Sequence, residues 1–253
     1  MSLKRGVVLL LSLLSLAAHA DLLDDIQQRG TIRVGTTGDY KPFSYYDGAN
    51  YSGYDIDVAK YLAQQLNVKV EFVPTTWKGL VSDLSSGKYD IAMGGITRRI
   101  DRQLAAEQTQ GYMTFGKLFL VRVGRAMKFD TLEKVNQPNV RVGYNIGGTN
   151  EAFAKQYLTK ATQVTFENNL DVPEAVLSGK VDVMITETPE ALFYHTTNPK
   201  FDVVRKDNPF TKSEFTYLIP KGEQRLLNTV NFVMDDMKLK GTDKTLMEQN
   251  HLM

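Results

Sequence analysis

Four short segments of this sequence concentrate glycine, hydroxyl-bearing and charged side chains, the residue types that bind small polar molecules. They are residues 36–43 (TTGDYKPF), 94–99 (GGITRR), 144–150 (YNIGGTN) and 186–190 (TETPE). Gly147 and Gly148 allow close approach to the backbone, and Thr149 and Asn150 precede a predicted helix over residues 151–158. The free N–H groups at such a helix start attract an anion, although the same residues also form an ordinary helix N-cap. We therefore predict a site for a small anionic ligand, with the N-cap as the alternative.

Each polar segment follows a predicted β-strand. Strand patterns cover residues 31–34, 68–73 and 90–93, and apolar residues recur at helical spacing over residues 54–66 and 80–84. Strands that alternate with helices predict an α/β fold with mostly parallel sheets flanked by helices. A ligand in such a fold lies at the carboxyl ends of the strands, so we expect the four polar segments to face one cleft.

Two sequence patterns occur twice, in the same order. IRVG at residues 32–35 returns as VRVG at 140–143, and SGKYDIAM at 86–93 returns as SGKVDVMI at 178–185. Ordinary helix termination at glycine could account for either repeated pattern alone. Both patterns repeated in the same order indicate two similar lobes. The ligand cleft is then expected between the lobes.

The positions of the repeats also predict the lobe boundaries. We expect residues 21–118 and 217–253 to form the first lobe, which is discontinuous, and residues 119–216 to form the second. A C-terminal helix over about residues 223–240 then returns to the first lobe.

The N-terminal twenty residues have the pattern of a signal peptide. Lys4 and Arg5 precede an apolar run over residues 6–17, and the small-x-small sequence Ala18-His19-Ala20 follows it. We predict cleavage after Ala20 and export to the periplasm; the alternative is an uncleaved anchor. The run is well short of the roughly 20 apolar residues that a membrane-spanning helix needs.

Composition removes several classes of function. The chain has no cysteine and a formal net charge of +1, so stability depends on an apolar core, and nothing in the charge favours nucleic-acid binding. His195 and His251 have no partners at metal-ligand spacing, and no phosphate-binding glycine loop is present. We expect no metal and no cofactor.

Several motifs together resemble a known family. The strand IRVG followed by Thr-x-x-x-Tyr-x-Pro-Phe, with GYDID at residues 53–57 and DIAM at 90–93, is similar to the periplasmic solute-binding proteins for polar amino acids. The resemblance covers essentially the whole mature chain and implies a two-lobed periplasmic-binding-protein fold. Within that family, residues 36–45, 76–77, 147–151 and the Thr186-x-x-x-Glu190-Ala191 spacing most resemble the cyclohexadienyl dehydratases. Those enzymes form phenylpyruvate from prephenate and phenylalanine from arogenate.

The resemblance implies roles for individual residues. Glu190 matches the proton-donating glutamate and Lys117 the pocket lysine of the dehydratases, so both are catalytic candidates. Arg102 matches the arginine that binds a ligand carboxylate. The remaining substrate-binding candidates are Tyr40, Phe43, Trp77, Thr97, Thr149, Asn150 and Glu187.

A dehydratase needs an acid because the ring hydroxyl of prephenate leaves poorly as hydroxide. A glutamate can protonate it near neutral pH only where burial has raised its pKa. Glu190 follows Pro189 at a predicted helix start, and that position by itself lowers the pKa of a carboxyl group. We predict that desolvation in the closed cleft outweighs the effect of the helix.

Simpler interpretations exist for most of these residues. Glu190 alone is explained as a favourable partner of a helix dipole, Trp77 as a packing residue and Arg102 as a solvated helix charge. Arg98 and Arg99 depart from the family pattern, and we interpret them as an exposed basic pair.

Two functions are therefore compared. The first is a prephenate or arogenate dehydratase, a carbon–oxygen lyase that acts on a small anionic metabolite. The second is a receptor that delivers a polar amino acid to a membrane transporter, in which Glu187 binds the α-amino group and Arg102 the α-carboxylate. Dehydratases of this kind form trimers, so the resemblance, but not the residues themselves, also predicts a homotrimer.

Overall fold

The computed structural model describes residues 21–253, and the predicted signal peptide lies outside them. The described chain forms two α/β lobes, each built on a central sheet flanked by helices, as predicted. None of the helices within residues 21–253 combines the length and the apolar character that crossing a membrane requires.

Within residues 21–253, fourteen strands and ten α-helices alternate along most of the length. The strands are β1 (Thr31–Thr36), β2 (Asp39–Tyr40), β3 (Ser44–Tyr46), β4 (Tyr51–Ser52), β5 (Lys69–Pro74), β6 (Ile91–Thr97), β7 (Glu107–Gln108), β8 (Met113–Phe115), β9 (Lys117–Arg122), β10 (Arg141–Asn145), β11 (Thr162–Phe166), β12 (Val183–Glu187), β13 (Phe201–Val204) and β14 (Ser213–Ile219). The helices are α1 (Leu22–Arg29), α2 (Tyr54–Gln65), α3 (Leu80–Ser85), α4 (Ile100–Ala105), α5 (Leu132–Val135), α6 (Thr149–Tyr157), α7 (Asp171–Ser178), α8 (Thr188–Thr197), α9 (Gln224–Lys240) and α10 (Thr242–Gln249).

The two main sheets have matching topologies. The first has the order β5-β1-β6-β14-β7, with β8 also paired to β14, and the second has the order β11-β10-β12-β9-β13. In the first sheet β14 runs antiparallel to its neighbours, and in the second β9 does so, while the remaining strands run in one direction. The prediction of mostly parallel sheets is confirmed.

The repeated sequence patterns are explained by an arginine–aspartate pair in each lobe. In the first lobe, the backbone N–H of Arg33 donates to Asp90 (2.7 Å) and its Nη2 donates to the same carboxylate (2.7 Å). In the second lobe, Arg141 donates to Asp182 from the same two groups, each at 2.9 Å. Each aspartate stands just before a strand and fastens it to the parallel neighbour, so both motifs of the repeat serve one structural purpose.

Strand β6 is longer than predicted. The sequence pattern ended this strand at Met93, but in the structure it continues through Gly94 and Gly95 to Thr97. Both glycines have positive φ values (134° and 67°), a backbone region that other residues rarely adopt. The predicted loop is therefore an irregular part of the strand, which brings Thr97 to its carboxyl end.

Strand pairing locates the two crossings between the lobes. Lys117 begins β9 in the second sheet, whereas β8, ending at Phe115, belongs to the first, so the chain crosses at Gly116. The return crossing lies between Val204 and Ser213. Both crossings precede the boundaries expected from the sequence, because the apolar residues of β9 and β14 suit a sheet of either lobe.

Each lobe has its own apolar core. The first-lobe core includes residues of α9, which packs there as expected for a helix returning from the second lobe; Leu226, Val230 and Met234 are buried in it. The second-lobe core is centred on β9, β10 and β12, where Phe119, Val142 and others are fully buried. The site therefore lies between two separately stabilised units.

Candidate functional site

A small enclosed cavity lies between the lobes, at the carboxyl ends of β6, β10 and β12. Its volume is about 20 Å³, enough for about one water molecule. The residues that line it are Tyr40, Trp77, Gly95, Thr97, Arg102, Asn145, Gly148, Thr149, Asn150 and Glu187. Most of the predicted substrate-binding residues are therefore brought together.

The cavity adjoins a wider cleft of about 500 Å³ that is open to solvent. Trp77, Arg102 and Gly148 line both spaces, so these three residues separate the enclosed cavity from the cleft. As the lobes stand, the cavity is too small for a ligand larger than water.

Lys117 and Glu187 form a buried ion pair at the floor of the cavity. They stand directly opposite each other on the antiparallel strands β9 and β12, so their side chains meet on the same face. The ammonium of Lys117 also donates to Thr149 Oγ1 (2.8 Å) and to Asn150 Oδ1. Burial lowers the pKa of Lys117, and the neighbouring carboxylate of Glu187 opposes that effect.

Tyr40 connects the lobes across the cavity. Its hydroxyl donates to Glu187 Oε2 at 2.6 Å, and its ring stacks on Phe43 with centroids 5.5 Å apart. Phe43 is fully buried behind Tyr40 and supports the ring without lining the cavity. Gly95 is required beside this ring, because a Cβ there would lie 2.4 Å from the Tyr40 ring atoms.

Arg102 lies on α4 and is buried, with 7% of its surface exposed. Its Nη1 donates to the Thr97 carbonyl oxygen at 2.7 Å, which fixes the guanidinium at the cavity wall. Burial, and then the nearby charge of Arg99, lower the pKa of Arg102 to about 10, so it stays a cation at neutral pH. Among residues 21–253 it forms no ion pair with a carboxylate, which leaves its charge available to an anionic ligand.

Glu190 is completely buried on the first turn of α8. Asn169 Nδ2 donates to its Oε1 at 2.6 Å, and the Thr186 hydroxyl donates to its Oε2. Burial nevertheless raises the pKa of Glu190 well above its usual value, with a contribution from the charge of Glu187. Desolvation thus outweighs both donors and the helix N-terminus.

Glu190 does not line the cavity, although the sequence suggested a residue in direct contact with the ligand. The cavity-facing carboxylate is Glu187, three residues earlier in the chain. Because Glu187 is the N-cap residue of α8 and Glu190 lies in its first turn, the two carboxyl groups are close to each other but differ in their access to the cavity.

Asn169 and Asn145 are site residues that the sequence did not single out. The backbone N–H of Asn169 donates to Asp39 Oδ2 at 3.1 Å, and Trp77 Nε1 donates to Asp39 Oδ1 at 2.9 Å. Asn169 therefore links Glu190 of the second lobe to Asp39 of the first. Asn169 follows β11, a parallel strand that lies outside the repeated sequence patterns. Ligand-binding residues are expected after the carboxyl end of every parallel strand, so the same rule applied to β11 would have identified Asn169.

Just before α6, a side chain of the protein binds one backbone N–H group. Glu151 Oε2 accepts from the Gly147 N–H at 2.7 Å, and Lys155 pairs with Glu151 at 2.6 Å. The N-cap residue, Gly148, makes no side-chain cap hydrogen bond, and the Gly147 N–H lies before the helix, so the anion site at this helix start stays a prediction. Thr149 and Asn150 act at the site through their side chains.

Arg98 and Arg99 are paired on the surface. Arg98 contacts Glu214 at 3.1 Å and Arg99 contacts Asp101 at 2.8 Å. Arg99 also lines the wide cleft, but neither residue lines the enclosed cavity. Among residues 21–253, no group of three or more His, Asp or Glu residues is arranged to hold a metal ion.

Two lobes joined by two crossings, with a polar cavity between them, define the class of two-lobed solute-binding proteins. The family model for bacterial extracellular solute-binding proteins, family 3, matches residues 32–252, and the chain belongs to this family.

Three relatives show which members of the family are similar. Cyclohexadienyl dehydratase of Pseudomonas aeruginosa is 39% identical over 215 residues, which are 85% of this chain and 80% of the relative. The crystal structure of the ancestral amino acid-binding protein AncCDT-1, a precursor of cyclohexadienyl dehydratase, is 43% identical with a TM-score of 0.85 and covers 90% of this chain and 99% of its own. An ancestral cyclohexadienyl dehydratase is 55% identical with a TM-score of 0.58, covering 91% of this chain and 96% of its own.

Proposed function

We propose that this protein is a periplasmic cyclohexadienyl dehydratase that converts prephenate to phenylpyruvate, with Glu190 as the general acid. The observation that carries the proposal is the fully buried Glu190 carboxyl group, whose pKa is raised well above its usual value, behind a cavity that the guanidinium of Arg102 lines. The similarity to the dehydratase of Pseudomonas aeruginosa supports the same reaction.

The reaction requires one proton. As the bond between the ring carbon and its carboxylate breaks, that electron pair enters the ring, and carbon dioxide leaves. The carbon–oxygen bond to the ring hydroxyl breaks at the same time, and the oxygen takes the proton of Glu190 and departs as water. Glu190 is left as a carboxylate, which recovers a proton from solvent when the cleft opens.

The two carboxylates of prephenate require fixed cationic partners. Arg102 presents a planar guanidinium at the boundary between the cavity and the wide cleft, and Lys117 presents an ammonium at the floor. Charged groups that are already held in place need no rearrangement during the reaction. Exclusion of water strengthens their electrostatic interactions with the substrate. Trp77, with the ring of Tyr40 at 5.6 Å behind it, provides an aromatic wall.

Closure of the lobes completes the site. The cavity of about 20 Å³ is too small for prephenate, so binding requires the lobes to open and then to close less tightly around the substrate. Glu190, which is behind the cavity wall in the closed unliganded form, is then reached when Glu187 or Asn169 moves. Two observations support a periplasmic location. The chain belongs to a family of extracellular proteins, and residues 1–20 have the pattern of a signal peptide. The homotrimer stays a prediction.

The second candidate is a receptor that delivers a polar amino acid to a membrane transporter without chemistry. The observation in its favour is the high similarity to AncCDT-1, an amino acid-binding protein, with a TM-score of 0.85. In that function Glu187 would bind the α-amino group of the ligand and Arg102 its carboxylate. Glu190 would then have only a structural role.

Turnover of prephenate by the purified chain beginning at Asp21 distinguishes the two candidates. The proposal predicts formation of phenylpyruvate, followed by its absorbance in alkali, with catalytic turnover and no added cofactor. The second candidate predicts no turnover, together with an increase in melting temperature when an amino acid binds to the folded chain. That second result would contradict the dehydratase.

A further inference from the structure

The wide cleft is lined by more positive than negative side chains. Its charged lining residues are the cations Lys78, Arg99, Arg102 and Lys155 and the carboxylates Asp101 and Glu151. The chain as a whole has no such excess, because residues 21–253 carry 28 Lys and Arg against 29 Asp and Glu once Lys4 and Arg5 are set aside. The two surplus positive charges are therefore a local property of the cleft.

Ion pairs within the cleft determine which charges remain uncompensated. Arg99 binds Asp101 through two hydrogen bonds, at 2.9 and 2.8 Å, and Lys155 pairs with Glu151 at 2.6 Å. Each carboxylate of the lining is thus neutralised by its own cation. Within residues 21–253, Lys78 and Arg102 form no ion pair, so their charges supply the positive excess.

A second groove between the lobes has the opposite excess. Its volume is about 320 Å³, and it shares Trp77 and Lys78 with the wide cleft. Its other charged lining residues are the carboxylates Asp39 and Glu167. A cleft lined by one sign of charge concentrates ions of the other sign, so an anion is drawn to the wide cleft in preference to this groove.

We propose that the wide cleft is an electrostatic entrance that accelerates the association of a dianion, and that its selectivity depends on Arg99. The inference rests on the proposed function and adds the route by which prephenate, with its two carboxylates, enters. Arg99 neutralises Asp101, which would otherwise place a negative charge beside Arg102 at the cavity boundary. The entrance acts on the rate of association, so the choice between prephenate and arogenate is left to the cavity.

Trp77 provides a measurement that does not depend on the proposed function. It is the single tryptophan of the sequence and lines the wide cleft, so its fluorescence reports the local concentration of a quencher. The probes are iodide, an anion, and acrylamide, which is neutral. In the Arg99→Gln variant at low ionic strength, we expect the ratio of the iodide to the acrylamide quenching constant to fall about twofold. The difference should disappear in about 0.5 M sodium chloride.

The matched control is Lys134→Gln, which changes the charge by the same amount. Lys134 on α5 pairs with Asp130 at 2.7 Å, so its loss also leaves one carboxylate without its cation. Because β9 begins at the cavity and α5 lies between the end of β9 and the start of β10, Lys134 is at the opposite edge of the second sheet. The quenching ratio of this variant should equal that of the unmodified protein. An unchanged ratio in Arg99→Gln, or equal reductions in both variants, would overturn the inference.

The association of prephenate is the second test. It is measured in the Glu190→Gln background, where the ligand stays intact, by stopped-flow fluorescence of Trp77. Arg99→Gln should lower the association rate constant about threefold at low ionic strength and leave the dissociation rate constant unchanged. An increase in the dissociation rate constant alone would contradict an entrance, because it would show that Arg99 acts on the bound ligand.

These outcomes separate the inference from the proposed function. Absence of prephenate turnover in the unmodified protein would remove the dehydratase, yet the iodide measurement would still decide whether the entrance exists. Turnover with an unchanged iodide ratio in Arg99→Gln would remove the entrance alone. Should Arg99→Gln fail to fold, Asp101→Asn changes the charge of the cleft in the other direction, and its quenching ratio should rise about twofold.

Discussion

The pKa of Glu190 is raised because its surroundings solvate a negative charge less well than water does. Two donors, Asn169 Nδ2 and the Thr186 hydroxyl, contact it, and the start of α8 also favours the ionised form. Complete burial outweighs them and raises its pKa, with the charge of Glu187 adding to the effect. A raised pKa favours the protonated form of the carboxyl group, which is the form that the proposed dehydration needs.

The Glu190→Gln change tests the proton at the residue scale. Glutamine keeps the shape of the side chain and an oxygen for Asn169 but has no acidic proton, so we expect kcat for prephenate to fall about 10²–10⁴-fold. Binding, measured as the increase in melting temperature with prephenate, should persist. The control is Glu174→Gln, an exposed residue on α7, for which kcat should not change.

The same residue determines how activity depends on pH. Because the reactive form is the protonated acid, kcat of the unmodified enzyme should decline as pH rises through the raised pKa of Glu190, and not near the usual value for glutamate. The pH profile of kcat measures this directly. A profile already declining between pH 4 and 5 would argue against Glu190 as the acid.

At the scale of elements, each lobe fastens neighbouring parallel strands with an arginine–aspartate pair. The two copies differ in burial: the Asp90 side chain is fully buried, whereas that of Asp182 is 19% exposed. Asp90 also accepts from Arg29, so two arginines depend on it.

We expect Asp90→Ala to cost more stability than Asp182→Ala. Removing Asp90 leaves the buried backbone N–H of Arg33 and two partly exposed guanidinium groups without an acceptor and should cost about 2–3 kcal/mol, whereas the more exposed Asp182 pair should contribute about 1 kcal/mol. The free energy of unfolding in urea, followed by circular dichroism, gives both values, and each variant is the control for the other. Equal losses would show that burial does not distinguish the two pairs.

Helix α2 is held to β6 and β14 through Asp55, a buried carboxylate. It accepts from the hydroxyls of Tyr217 and Tyr112, both at 2.8 Å, and from the Gly95 N–H at 2.6 Å. Burial raises its pKa to about 6 in spite of these donors. The position of Gly95 at the cavity therefore depends on a carboxylate that takes up a proton when the pH falls below about 6.

Asp55 should make stability depend on pH in the acid range. A carboxyl group whose pKa is raised in the folded state stabilises the fold most below its unfolded pKa of 3.8, and this contribution is lost as pH rises to about 6. The difference is about 3 kcal/mol at most. The free energy of unfolding in urea should therefore decline between pH 4 and pH 8. The Asp55→Asn variant should lack this decline. The control variant Asp57→Asn, at a partly exposed position on α2, should still show it.

At the scale of the whole molecule, direct contacts across the cleft hold the closed form. Tyr40 of the first lobe donates to Glu187 of the second, and Asn169 of the second lobe bonds to Asp39 of the first. Both contacts end on residues beside the proposed chemistry. The contacts that close the lobes are thus made by residues of the candidate site itself.

Removing one of these contacts should favour the open form. The Tyr40→Phe variant keeps the ring against Gly95 and Phe43 but loses the hydrogen bond to the charged Glu187. Because of this loss, we expect KM for prephenate to rise about 10-fold. The radius of gyration from small-angle X-ray scattering, measured without ligand, should increase. Tyr46→Phe, which changes an exposed hydroxyl on β3, is the control and should leave both quantities unchanged.

The sequence alone was sufficient for the α/β class, the two-lobe repeat and the start of a helix at Pro189. These features depend on periodicity and on residues that are near one another in the chain. The carboxyl-end rule likewise brought Thr149, Asn150 and Glu187 to one cleft, where the structure has them, and the family resemblance added Arg102.

Only the tertiary structure decided which groups meet and in what charge state. Lys117 faces Glu187 from a strand 70 residues earlier, and Asn169 reaches Glu190 from a loop after β11. The pKa of Glu190 depends on the balance between desolvation by the packed lobes and the local effect of its helix, and desolvation is a property of distant neighbours. Local sequence specifies which side chains are available, while long-range packing determines what surrounds each of them.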